Sequence, residues 1–236
     1  IMKSVAGTGK RYTLELGGKA ANIIFEDAAI DQAVEGIIDG IFFNQGHVCC
    51  AGSRLFVQES VADIVISKLK DRMESLIVGD PLDKNTDIGA INSKMQLDKI
   101  KMYVKIGQKE GASIHQSSCK LPKKGYWHAP TIFTDVSQSH RIVQEEIFGP
   151  VLAIQTFRTV DEVITKANNI PFGLSGGVWT DKGAKIFQVS KAIRSGVLWG
   201  NTFNKFDPTS PFGGYKESGM GREGGLEGLM PYVNLV

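Results

Sequence analysis

The 236 residues include 42% hydrophobic side chains and 27 glycines, enough for one large domain or two small ones with a sizeable core and many tight turns. Lysine and arginine total 27 against 25 acidic residues, a balance that gives no electrostatic case for nucleic acid or an anionic membrane as partner. No run approaches the roughly 18 consecutive apolar residues that a membrane helix needs. Three cysteines, two of them the adjacent Cys49 and Cys50, make no disulfide framework and suit a reducing, cytoplasmic compartment. Ile1-Met2-Lys3-Ser4 is not followed by the apolar stretch of a signal peptide. No metal site is expected: paired CxxC is lacking, and His47 beside the two cysteines makes a poor tetrahedral set.

In chain order, Tyr12 to Leu16 reads as a strand and Ala21 to Phe25 as a short buried one. Asp31 is placed to cap a helix whose apolar positions Ala33, Val34, Ile37, Ile38, Ile41 and Phe42 recur at helical spacing. Arg54 to Val57 reads as a strand, and Val61 to Leu76 as a helix with Ile64, Ile66, Leu69 and Met73 inward. A turn-rich loop from Gly79 to Asn92 leads into a helix from about Ser93 to Glu110. The strand Val151 to Phe157, a helix near Val160 to Asn168, and the strand Gly176 to Thr180 come next. The helix Lys182 to Ala192 and the strand Gly196 to Trp199 complete the series. Strand alternating with helix predicts an α/β fold, an open, mostly parallel twisted sheet with helices on both faces. From Thr202 the chain is glycine-rich and irregular, either a loose tail or a loop lining a site.

Four segments carry candidate chemistry. Asn44-Gln45-Gly46-His47-Val48-Cys49-Cys50-Ala51-Gly52-Ser53-Arg54 lies between a helix and a strand, where an open α/β sheet presents reactive groups. A thiol there can be lowered in pKa by backbone N–H groups and serve as a nucleophile, although cysteine is also a common small core residue. Leu14-Glu15-Leu16-Gly17-Gly18-Lys19 sets one carboxylate in an apolar strand. Such a carboxylate is either a desolvated general base or a solvent-facing edge residue. In Glu145-Glu146-Ile147-Phe148-Gly149-Pro150 the carboxylates form a solvated face or hold ribose hydroxyls. Ser210-Pro211-Phe212-Gly213-Gly214-Tyr215-Lys216-Glu217-Ser218-Gly219-Met220-Gly221-Arg222-Glu223 is turn-rich with embedded aromatics, and it has neither a P-loop nor a GxGxxG motif following a strand.

Together and in this order the four segments resemble the aldehyde dehydrogenase superfamily, over essentially the whole chain. The resemblance implies a Rossmann-like catalytic domain, with Cys49 rather than Cys50 as the nucleophile. Its thiolate would attack an aldehyde to give a thiohemiacetal, which passes hydride to a nicotinamide and becomes a thioester. Glu15 would activate the hydrolytic water, and the Cys49 backbone N–H would form half of an oxyanion hole. The resemblance assigns Glu146 and Phe148 to the nicotinamide-side ribose and ring of NAD or NADP, with Gln96 and Lys99 as weaker contacts. His47, Val48, Cys50, Phe206 and Phe212 would line the aldehyde pocket, with Asn201 nearby. The partners implied are a small-molecule aldehyde and further copies of the full-length protein in a homo-oligomer.

His47 and Val48 depart from the commoner family pattern of a polar amide and often a further cysteine, so the space beside the thiol is expected to differ. Residues 1–17 would be the end of a cofactor-binding domain, 18–216 the catalytic domain, and 217–236 a C-terminal return segment. The remainder of the family's cofactor domain would precede residue 1, so the chain alone is expected to bind nicotinamide cofactor weakly.

Overall fold

The computed structural model describes residues 1–234. A short helix α1 (Met2–Val5) precedes the two-residue strand β1 (Leu14–Glu15) and the strand β2 (Ala21–Ile24). Next come α2 (Ile30–Phe42), β3 (Arg54–Gln58), α3 (Ala62–Glu74), α4 (Lys94–Lys109), β4 (Ser113–Gln116) and β5 (Thr131–Thr134). They are followed by α5 (Arg141–Gln144), β6 (Val151–Phe157), α6 (Val160–Asn168), β7 (Phe172–Gly173), β8 (Ser175–Trp179), α7 (Gly183–Ala192) and β9 (Val197–Gly200). The last part adds β10 (Tyr215–Lys216), β11 (Gly219–Met220) and α8 (Gly225–Leu229).

Seven strands form one sheet in the order β4-β5-β6-β3-β2-β8-β9. All neighbours are parallel except β4, which runs antiparallel to β5 at one edge. Strands β2, β3 and β8 are buried along nearly their whole length. Near-continuous apolar runs of this kind mark parallel strands covered on both faces. Side chains alternate between the faces. Leu55 and Val57 pack with α2 and α3 on one side, while Phe56 joins Val163 of α6 and Val189 of α7 on the other. A third cluster joins Leu97 and Ile100 of α4 to Ile142 of α5 and Phe133 of β5. The expected α/β sheet with helices on both faces is what the chain forms. Among the described residues no helix is long and apolar enough to cross a membrane.

Several details differ from the sequence reading. Asp31 does not cap α2; the cap position is Ala29 with no side-chain bond. Asp31 lies in the first turn and pairs with Lys68 at 2.8 Å, where its charge complements the helix dipole. In α3 the inward row is Ala62, Val65, Leu69 and Met73. Ile64 points outward at 54% exposure, and Ile66 is half-buried. Two apolar residues flanking Val65 made the inward stripe ambiguous by about one position. Strands β4 and β5 carry too few residues and, in β4, too polar a pattern to be legible. Tyr12 to Leu16 is a strand only at Leu14–Glu15, where it pairs with Gly219 and Met220 of β11. The segment after Thr202 is therefore no loose tail, since it supplies β10 and β11 and returns to the start of the chain.

Ile37 is 1% exposed in the cluster between α2, α3 and the sheet. Ile37→Ala is expected to cost roughly 2–5 kcal/mol through lost burial and a residual cavity. Ile64→Ala should change stability by less than about 0.5 kcal/mol. Urea denaturation of both variants checks that Ile37 of α2 faces the core and Ile64 of α3 faces water; equal losses would contradict it.

Candidate active site

The loops entering β2, β3 and β6 meet at the amino ends of these three adjacent strands. Reactive groups in open α/β sheets more often lie at the carboxyl ends; here the loops gather at the opposite end of the sheet. Register places Ala21, Arg54 and Ala153 side by side, which brings the preceding loops together. Three glycines let the loops touch. A Cβ on Gly18 would collide with the Cys49 carbonyl, one on Gly17 with the Glu146 carboxylate, and one on Gly46 with the Gly149 carbonyl. Gly46 also has φ +74°, a conformation side-chain-bearing residues rarely adopt.

Cys49 is half-buried and Cys50 is buried at 1% exposure; both thiols are free. The Cys50 thiol donates to Asn204 Oδ1 at 3.5 Å; turned to a Cys49 thiolate instead, its hydrogen bond is the largest reason that the Cys49 pKa falls from 9.0 to about 7. Burial and the charge of Glu15 oppose the shift, while the Cys50 backbone N–H supports it. Cys50 itself is pushed up, first by that same bond and then by burial. One thiol is thus an ionisable nucleophile candidate and the other its proton-bearing donor.

Glu15 is exposed and lies in a two-residue ladder at the surface, not within a covered strand. Its pKa is still raised, first by partial desolvation of the carboxyl and then by the charge of Glu223, with Arg222 opposing. Its charge reaches both thiols, so Glu15 and Cys49, 34 positions apart in sequence, share one electrostatic environment.

Glu146 is half-buried, and its Oε1 accepts a hydrogen bond from the Gly18 N–H at 3.0 Å. Its other oxygen lies over Gly17, where any side chain would displace it. A carboxylate fixed by one oxygen over a glycine turn fits a ribose diol. Phe148 has φ +60°, unusual for a bulky residue, and its ring stacks on His47 at 5.3 Å and 6°. Gln96 donates to the carbonyls of Ile147 at 2.9 Å and Phe148 at 2.8 Å. It therefore braces the Phe148 turn with the amide that was expected as a weaker cofactor contact. Lys99 is half-buried on α4, close enough to affect Lys19. Burial lowers the His47 pKa and leaves its Nε2 without a hydrogen-bond partner.

Val48 packs partly buried against the main core. Of the expected pocket lining only Phe206 and Phe212 meet in an aromatic cluster, Phe206 contacting Phe212 at 5.3 Å and Trp199 at 5.5 Å, while His47, Val48 and Cys50 stand outside it. Phe206 is 60% exposed. The Asn201 side chain is engaged with the Thr180 backbone, its Oδ1 accepting at 3.0 Å and its Nδ2 donating at 2.9 Å; it braces β8 to the loop. One neighbour was not legible in sequence, and a second stood in the turn-rich candidate segment with no role assigned. Asn204 Oδ1 stands 3.5 Å from Cys50 Sγ, and Glu223 acts on Glu15. No local pattern announces a residue that reaches the site only through a returning loop. Among the described residues no group of three or more His, Cys, Asp or Glu side chains could hold a metal ion.

Fold and site together define an α/β domain built around a lowered-pKa thiol, a carboxyl of raised pKa and a carboxylate cradle. The aldehyde dehydrogenase family model matches residues 1–236, and the chain belongs to that family. It is 47% identical over 234 residues to retinal dehydrogenase 2 of Rattus norvegicus, covering 98% of this chain and 45% of that one. It is 45% identical over 234 residues to an aldehyde dehydrogenase of Davidiella tassiana, covering 99% and 47% respectively. The chain thus spans about half the length of the curated relatives it matches. An NAD+ complex structure of aldehyde dehydrogenase from Bacillus cereus superposes with TM-score 0.94 at 41% identity, covering 99% of this chain and 48% of that one. An NAD-dependent aldehyde dehydrogenase from Sinorhizobium meliloti also gives TM-score 0.94 and 41% identity, covering 98% and 46%.

Alkylation of Cys49 by iodoacetamide should rise with pH through a midpoint near 7, since only the thiolate reacts. Cys50→Ala removes the donor and should move the midpoint upward, while Glu15→Gln removes a repelling charge and should move it downward. Mass spectrometry of the Cys49 peptide reads both shifts; a midpoint unmoved by Cys50→Ala would refute the thiol–thiol bond.

Proposed function

We propose that this chain carries the catalytic half of an NAD- or NADP-dependent aldehyde dehydrogenase, with Cys49 as nucleophile and Glu15 as general base. The observation that carries the reading is the electrostatic contact between a thiol lowered to about 7 and a carboxyl of raised pKa. Near neutral pH the Cys49 thiolate attacks the aldehyde carbonyl, forming a C–S bond and a thiohemiacetal. The Cys49 backbone N–H supports the developing oxyanion. A nicotinamide held by Glu146 and Phe148 would supply the acceptor for the hydride that leaves the substrate carbon as the thiohemiacetal becomes a thioester. Glu15 then takes a proton from the water that attacks the thioester, releasing a carboxylic acid and restoring the thiol; its raised pKa favours proton acceptance.

Glu146 holds the nicotinamide-side ribose through the carboxylate that Gly18 orients, and Phe148 offers its ring to the nicotinamide. Gln96 keeps the Phe148 turn in place, and Lys99 lies on the same side. His47 supports the Phe148 ring from behind and, with Val48, Cys50, Phe206 and Phe212, shapes the aldehyde pocket. Residues 1–17 are read as the end of a cofactor-binding unit, 18–216 as the catalytic domain and 217–236 as a return segment. Leu235 and Val236 of that segment lie outside the described residues. The three free cysteines favour a reducing, cytoplasmic setting, and a homo-oligomer of the whole protein is part of the same reading.

In the whole protein, Cys49→Ala should reduce aldehyde oxidation by on the order of 10^3-fold or more. Glu15→Gln should slow thioester hydrolysis by about 10^2- to 10^4-fold, visible as a burst of reduced cofactor followed by a slow steady state. Oxidation unchanged by Cys49→Ala would eliminate the assignment. Thioester chemistry on Cys49 needs no cofactor, so the 236-residue chain should also hydrolyse 4-nitrophenyl acetate above its Cys49→Ala background.

A further inference from the structure

Two cations near the site take no part in the chemistry above. Lys19 and Arg54 are each 1% exposed and among the largest fully buried side chains. Both line one cavity of about 10 Å³, whose wall also includes Ser175, Asn168 and Arg194. No aspartate or glutamate is among the residues lining it. Arg54 directs its guanidinium at neutral carbonyl oxygens, those of Lys19 at 2.9 Å, Ala167 at 2.8 Å and Lys166 at 3.4 Å. Lys19 Nζ is buried without any hydrogen-bond partner. The Ser175 hydroxyl donates to the Cys50 carbonyl at 3.0 Å, so the cavity abuts the backbone beneath the two thiols.

Taking a cation out of water is unfavourable unless a counter-charge or hydrogen-bond partners replace the solvent, or the group gives up its proton. Burial, first, and then the Arg54 charge press the Lys19 pKa down to about 7, with Lys99 adding to them. Glu146 and Glu145 pull the other way. Across the cavity lies Arg194, and Lys216 is near enough to be lowered by both Arg194 and Arg54. The balance around the cavity is thus strongly positive, with the two carboxylates outside its wall.

We propose that this cavity binds one halide-sized monovalent anion, represented by chloride, between Lys19 and Arg54. Its volume of about 10 Å³ is that of a single water-sized occupant, which a halide fills with a small outward shift of the lining, and it excludes phosphate- or sulfate-sized species. The anion supplies the counter-charge that Arg54 lacks and the partner that Lys19 Nζ lacks. Binding is coupled to the Lys19 proton. The protonated form binds, so affinity is full below about pH 7 and falls about tenfold per pH unit above it.

The test is thermal denaturation of the chain in sodium chloride, bromide or gluconate at fixed ionic strength, at pH 6.5 and 8.5, with chloride-35 NMR linewidths read in parallel. The expected result is a saturable rise in Tm with chloride and bromide but not gluconate, with affinity at least tenfold weaker at pH 8.5. Lys19→Met should abolish the halide response. Should that variant fail to fold, Arg194→Gln at the exposed edge of the cavity should weaken halide affinity several-fold with an unchanged circular dichroism spectrum. Equal responses to chloride and gluconate would overturn the proposal in favour of a neutral Lys19 bonded to water. A chloride response surviving Lys19→Met would overturn it as well.

Discussion

The close approach of three loops at the amino ends of β2, β3 and β6 is the constraint on which the rest of the site depends. Register of three adjacent parallel strands sets the loops side by side. Only the missing side chains of Gly17, Gly18 and Gly46 allow backbone and carboxylate to occupy the same few ångströms. A side chain at any of them would separate Cys49 from the Gly18 turn, or Glu146 from its N–H donor. The apolar helices α2 and α3 on one face and α4 to α7 on the other hold the strands, and hence the loops, in register. Core packing and the geometry of the candidate site are therefore consequences of one strand arrangement.

Within that frame the two adjacent thiols differ because their surroundings differ. Cys50 is buried and keeps its proton, whereas Cys49 is half-exposed and, once ionised, receives a hydrogen bond. Buried donors stabilise an anion more than the same donors in water, because the local dielectric is low. Glu15 works against the thiolate through its charge, and Glu223 in turn raises Glu15. Four ionisable groups from three distant segments thus form one coupled set, in which protonating a carboxyl eases loss of the Cys49 proton.

The positions that depart from the family pattern have a local physical meaning. His47 lies flat against Phe148, and Gln96 anchors the carbonyls on either side of that turn. These supports hold Phe148 in its left-handed backbone conformation, since a bulky residue at positive φ is strained unless its surroundings fix it. A planar imidazole provides a stacking face that an aliphatic amide would not, so the shape of the space beside the thiol follows from this substitution.

By itself the sequence determined the alternation of strand and helix, the parallel sheet covered on both faces, and the family membership of the chain. Those properties reside in local periodicity and in ordered short motifs such as Leu14 to Lys19 and Asn44 to Cys49. Tertiary structure alone decided which of the two cysteines is buried, which carboxylates face the thiols, and that the site opens at the amino ends of the strands. It also decided that Ile64 faces water while Val65 faces the core, a distinction of one residue within an apolar stretch. The return of the chain through β10 and β11, which brings Asn204 to Cys50 and Glu223 to Glu15, leaves no local signature. The reason is physical: a pKa or an orphaned amine such as Lys19 Nζ is set by the sum of burial and charges from segments far apart in sequence.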